Sequence, residues 1–281
     1  VDTDDTTAPS TFAPRVEAST FGGLGRLGFT TGVAGIIAGV LVAGFGGRVF
    51  MRFAGAVGGA SAARRTTEAG FTVGELTIGG TIALVVFIGL AAGLVGAVTH
   101  VAMRPWLAWA GPFRGAVYGV ALFGLASASS DLMNPDNIDF RLLGHGPLLV
   151  GGIVCLFLLF GLVLEWGLRV LEKRLPEDEP NSQATILYLV LSSLGALASI
   201  PLTMFIFFSV DSCSCDPPVG ASWSFVVVFV ATIVLWVGVV IALPLWLKRS
   251  TTFAGYLGMI GIAAFGLVRA VSDAIDIIRL G

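Results

Sequence analysis

Few side chains in this sequence could do chemistry, and most are charged residues one helical turn apart. Arg48 and Arg52 stand four apart in Gly46-Gly47-Arg48-Val49-Phe50-Met51-Arg52, so on a helix they share a face. A guanidinium does not deprotonate. Near lipid it needs a carboxylate, a phosphate or water, which makes the pair a candidate anion or lipid-headgroup site. The plainer reading, which we favour, is snorkelling to the interface with structural salt bridges. Glu165 and Arg169, and Arg269 and Asp273, have the same i,i+4 spacing and read as charge pairs, with Asp276 one turn beyond Asp273. A paired charge inside a membrane would belong to an ion or proton path; near a span end it is an interfacial pair.

Other polar groups are scattered. Asp131, Asp136 and Asp139 lie in the polar stretch Asp131–Arg141. Carboxylates can bind a hard cation, but this spacing does not follow the alternating ligands of an EF-hand loop, so a hydrogen-bonded loop with an Asn-Pro-Asp turn is the expectation. Cys213 and Cys215 form a C-x-C pair, a candidate disulfide or redox couple that lacks the usual C-x-x-C spacing. Cys155 falls within an apolar run and reads as a small apolar side chain. There are two histidines. His100 precedes Arg104 by one turn and reads as a hydrogen-bonded structural residue, while His145 falls on the opposite side of the expected membrane, so a bis-histidine haem is excluded. Gly23-Leu24-Gly25-Arg26-Leu27-Gly28 fits G-x-G-x-x-G but lacks the preceding strand and following acid of a dinucleotide site. No H-E-x-x-H, Walker A or G-x-S-x-G motif occurs, and the last apolar run holds no lysine for a retinal Schiff base. No metal or other cofactor is expected.

The elements that must position these residues are membrane helices. Of 281 residues, 56% are hydrophobic and 12% charged, against about a quarter charged in a soluble domain. A chain this apolar cannot cover a water-facing surface, so lipid is its expected solvent. The net charge of −2 gives no basic field for nucleic acid. Residues 1–25 form a polar tail, which lacks the basic start of a signal peptide; Ala60-Ser61-Ala62 lies well past the first apolar run, which therefore reads as an anchor. Residues 26–281 form the membrane domain. About 20 apolar residues cross a ~30 Å hydrocarbon core. On that length the sequence predicts an all-α polytopic bundle of about seven spans, near 27–47, 77–103, 113–130, 146–168, 184–210, 222–247 and 251–271, the third being the shortest.

Basic residues set the orientation. With the N-terminus in the cytoplasm, nine Lys and Arg fall inside and seven outside, and the segment 211–222 has none. Trp106, Trp109, Trp166, Trp223 and Trp246 fall near span ends, as interfacial aromatics do; Trp236 does not. Ala102, Trp106, Leu107, Phe113 and Gly115 recur 140 residues on as Ala242, Trp246, Leu247, Phe253 and Gly255, which would make spans 2–3 and 6–7 parallel repeats in a 3+1+3 layout. Gly28/Gly32, Gly35/Gly39, Gly89/Gly93 and Gly115/Gly119 have the G-x-x-x-G spacing of close helix contacts.

Gly47-Arg48-x-x-Met51-Arg52, then Thr77, Gly79, Gly80 and Thr81, then Asn134-Pro135-Asp136-Asn137-x-Asp139-Phe140 resemble a group of uncharacterised multi-spanning membrane proteins of high-GC Gram-positive, actinobacterial-type bacteria. The likeness covers roughly residues 27–175. It implies a bacterial inner-membrane location and no mechanism.

Three functions of different classes fit these residues. The first is a non-enzymatic accessory or structural subunit that packs against lipid and against a protein partner or a second copy through Gly-rich helix faces. The second is a small-solute or ion transporter. The third is a membrane redox protein using Cys213 and Cys215. The absence of a catalytic set favours the first.

Overall fold

In lipid a backbone must satisfy its own hydrogen bonds, and a single segment can do so only as a helix. The computed structural model describes residues 21–62, 82, 85, 88–129, 132, 133, 135, 145–175, 190 and 253–280. Among these every regular element is helical. Helix α1 (Phe21–Ala38) runs through a π-helical segment, Gly39–Gly46, into α2 (Gly47–Ala62). Helix α3 (Gly89–Leu107) is joined by a 3₁₀ turn, Ala108–Phe113, to α4 (Arg114–Ser129). Helices α5 (Gly146–Arg174) and α6 (Phe253–Leu280) complete the described set.

Local sequence sets several ends. Gly111 takes φ 52°, a left-handed conformation that glycine adopts without strain, and with Pro112 it reverses the chain between α3 and α4. Pro147 opens the first turn of α5 and Lys173 and Arg174 close its last, where cations suit the negative end of the helix dipole. Leu175 is extended, as a residue before proline tends to be, and Pro176 comes next.

Three helical stretches are long and apolar enough to cross a membrane: Gly25–Gly58, Gly146–Arg174 and Leu257–Arg279. They mark the chain as a membrane protein. At 34 residues the first would extend about 51 Å, well beyond a ~30 Å core, so tilt or protrusion must take up the excess. Helix α4 has 16 residues, about 24 Å, and falls short of that core. Exposed Leu41, Phe45, Leu159, Leu162, Phe265 and Val268 point large apolar side chains outward, as helices solvated by lipid do.

Glycine seams hold the helices together. A methyl group at Gly39 would overlap the backbone of Gly89 and Gly93, and one at Gly35 the carbonyl of Gly93 and the side chain of Ala97. α1 and α3 are thus antiparallel and in backbone contact. Gly115 and Gly119 meet Gly161 and Phe157 in the same manner, which sets α4 antiparallel to α5. Gly124 meets Ala263, Gly266 meets Gly124 and Ala128, and Gly146 meets Ile277, so α6 runs parallel to α4. Gly32 has nothing within 4 Å, so the Gly28/Gly32 spacing makes no close contact at that residue.

One apolar cluster gathers Ala34, Val42, Trp106, Tyr118, Phe160 and Leu164; a second, toward the other end, gathers Phe123, Met133, Ala270 and Ile277. Trp106 therefore lies in the core and not at a lipid interface, whereas Trp109 and Trp166 are exposed.

Candidate functional site

The helix order brings the start of α1, the ends of α3 and α5 and the start of α4 to one end of the bundle. There α5 acts as the hub. Glu165 and Glu172 are seven residues apart and so face the same way. Glu165 is buried, at 6% exposure. Its carboxylate accepts a hydrogen bond from Arg169 Nε at 3.1 Å and lies 3.8 Å from Arg114 Nη1 on α4 and 3.5 Å from His100 Nε2 on α3. One turn along α3, Arg104 donates to Glu172 at 2.8 Å. Arg169 also donates to the Pro112 carbonyl at 3.4 Å, and Arg26 of α1 to the Leu175 carbonyl at 3.3 Å. Side chains from every element at this end therefore converge on the last three turns of α5.

A neutral network lies next to the ionic one. Tyr118 of α4 is fully buried; its hydroxyl donates to the Gly96 carbonyl at 2.5 Å and shares a hydrogen bond with Thr99 at 2.7 Å. Its ring meets the His100 imidazole edge to face, with centroids 4.8 Å apart. Tyr118 is thereby fully satisfied, but His100 is not: it is 2% exposed, and neither ring nitrogen has a hydrogen-bond partner. The sequence-based expectation of a hydrogen-bonded structural histidine is corrected here. Its turn-mate Arg104 is engaged elsewhere, and Glu165 stands just beyond bonding reach.

The remaining candidates lie apart from this cluster. Arg48 and Arg52 share α2 toward the opposite end, Arg48 half-buried and Arg52 exposed; the helix does not end at 47 but continues through both. Arg269 Nε lies 3.7 Å from Asp273 on α6, and Arg279 3.8 Å from Asp276. Cys155 is exposed on α5. Asp131, Asp136, Asp139, Cys213 and Cys215 lie outside the described residues, as do the expected spans 184–210 and 222–247 and nearly all of the second copy of the 140-residue repeat.

Sequence reasoning singled out Glu165, Arg169 and His100 but missed Arg26, Arg114, Glu172, Thr99 and Tyr118. The i,i+7 spacing of Glu165 and Glu172, set against the i,i+4 spacing of His100 and Arg104, was the available signal. It becomes specific only once α3 and α5 are known to run parallel.

Among the described residues no group of three His, Cys, Asp or Glu side chains assembles to hold a metal ion. The arrangement can neutralise a buried carboxylate with several cations and clamp helix ends; it offers no nucleophile beside a base. No protein-family model matches the chain, and no curated protein or solved structure is similar to it.

Proposed function

We propose that this chain is a non-enzymatic accessory or structural subunit of the bacterial inner membrane, with about seven spans and its N-terminus in the cytoplasm. The observation that carries the reading is the backbone contact of α1 with α3, and of α4 with α5, through Gly35, Gly39, Gly89, Gly93, Gly115 and Gly161. Seams closed to this degree leave no passage for a solute between those helices, and ion pairs lock one end of the same bundle.

Two features support the topology. The end that holds Arg26, Arg104, Arg114, Arg169, Lys173 and Arg174 is the more basic among the described residues, which suits a cytoplasmic face. Leu175 and Phe253 stand toward this same end, so an even number of crossings must join them, and the two apolar runs at 184–210 and 222–247 supply it. The parallel course of α4 and α6 is also what a 3+1+3 repeat requires.

The test is cross-linking in native membranes, then purification in mild detergent and native mass spectrometry. A partner or second copy bound in fixed stoichiometry is the expected result; a clean monomer with no cross-linked species overturns the reading. A transporter is the second reading, favoured by the buried His100–Glu165 pair, since ionisable groups inside membranes often mark ion paths. Ion flux into proteoliposomes above that of protein-free vesicles would establish it.

A further inference from the structure

We propose that His100 and Glu165 form a proton-binding site inside the helix bundle, and that loading it draws the Glu165 carboxylate away from Arg169. Such a site is independent of the accessory role. Two hydrogen-bonding atoms stand unused in the bundle: His100 is 2% exposed and both its nitrogens are unpartnered, so no hydrogen bond fixes its tautomer. Tyr118 beside it is held by Thr99 and the Gly96 carbonyl and cannot turn to it without giving up those bonds. The carboxylate 3.5 Å from Nε2 is the acceptor that a protonated imidazole would need, because both of its nitrogens are then donors.

The charged neighbours determine how the site responds to the added proton. From its own helix His100 faces Arg104, which is paired with Glu172 of α5. From α4 come Arg114 and the Tyr118 hydroxyl, and from α5 come Glu165 and Arg169. From α1 the charged group at this end is Arg26, bonded to the Leu175 carbonyl, and Thr31 supplies a buried hydroxyl with no hydrogen-bond partner. The proton comes from water at the nearby membrane face and adds to whichever ring nitrogen carries the lone pair; no bond to carbon or nitrogen breaks. The net charge of the site rises by one, so three cations then compete for the Glu165 carboxylate.

The cation that can leave is Arg169. Its side chain is 47% exposed, against 27% for Arg114, and it already has a second acceptor in the Pro112 carbonyl. Release of Arg169 would loosen the link between α5 and the Ala108–Phe113 turn, where Trp109 and Phe113 are both 71% exposed. A proton bound between helices thus becomes a change in the turn that joins α3 to α4.

The experiment uses the full chain in lipid nanodiscs, labelled with ¹⁵N at histidine and arginine. His145→Asn leaves a single imidazole, and asparagine accepts the left-handed φ of 57° at that position. The expected result is a change of the His100 nitrogens from the neutral to the imidazolium pattern within the roughly pH 5–8 range in which histidines switch. Over the same interval the Arg169 Nε–H should lose its protection from solvent exchange. An imidazole that stays neutral throughout overturns the proposal. So does one that titrates while Arg169 remains protected.

Discussion

The glycine seams and the ionic end hold the same helices by opposite means. At the seams between α1 and α3 and between α4 and α5, side chains are absent and backbones touch. At the ionic end, long side chains reach across from α1, α3, α4 and the 3₁₀ turn to α5. The first interface depends on shape and admits no added atom. The second depends on charge and has several partners for one carboxylate. A seam should therefore fail at a single methyl-sized change, whereas the ionic end should lose stability in steps.

Gly39→Leu is the strongest test of that contrast. Its new side chain meets backbone atoms of Gly89 and Gly93, which cannot rotate away. Overpacking a tight core costs about 1–3 kcal/mol or more, and forced separation of α1 from α3 should exceed that range. Size-exclusion chromatography in mild detergent should show loss of the monodisperse peak; a variant that purifies and melts like the parent would show that the seam is not tight. Next in size is Glu165→Ala, which leaves Arg114, Arg169 and His100 without their shared carboxylate. Breaking a buried ion pair from one side costs roughly 3–5 kcal/mol, and Arg169 can recover part of this by turning to solvent. A lower Tm with retained folding is expected, and an unchanged Tm would mean that the cluster carries no stability.

Tyr118→Phe removes only the hydroxyl that joins Gly96 and Thr99. Hydrogen bonds between membrane helices average roughly 0.6 kcal/mol and reach about 1.7, so a small drop in Tm within that range should result. Gly32→Ala is the counter-case. Nothing lies within 4 Å of a methyl there, and alanine is about 0.5–1 kcal/mol better than glycine within a helix. Its thermal stability should equal or exceed the parent's. A loss as large as that of Gly39→Leu would show that glycine matters at α1 for a reason other than contact.

These four positions also show what a sequence can and cannot reveal. Apolar length placed helices near 27–47, 113–130, 146–168 and 251–271, and described helices occupy each of these stretches, since the cost of an unbonded backbone in lipid leaves few alternatives. Their ends were less legible. α5 runs on to Arg174 because charged residues remain good helix formers beyond the apolar limit, and α1 passes into α2 without a break. Gly32 and Gly35 look alike in sequence, yet one faces open space and the other a backbone, because spacing does not reveal which face of a helix meets a neighbour. The Glu165–Arg169 pair was visible because it is local. The approach of His100 and Arg114 to the same carboxylate was not, because it joins residues far apart in the chain through the packing of three helices.

The π-helical segment between α1 and α2 has a consequence for how this chain tolerates insertion and deletion. Each residue advances an α-helix by about 100°, so a wider π turn changes the phase between the helices on its two sides. Gly35 and Gly39 turn toward α3, while Phe50, beyond the segment, turns toward Gly152 of α5. Removing one residue from Gly39–Gly46 would shorten the helix by only about 1.5 Å but rotate all of α2 by about 100° relative to α1. Phe50 would swing off Gly152, and Arg48 and Arg52 would present a new azimuth to their surroundings. In this helix, rotational phase is a tighter constraint than length.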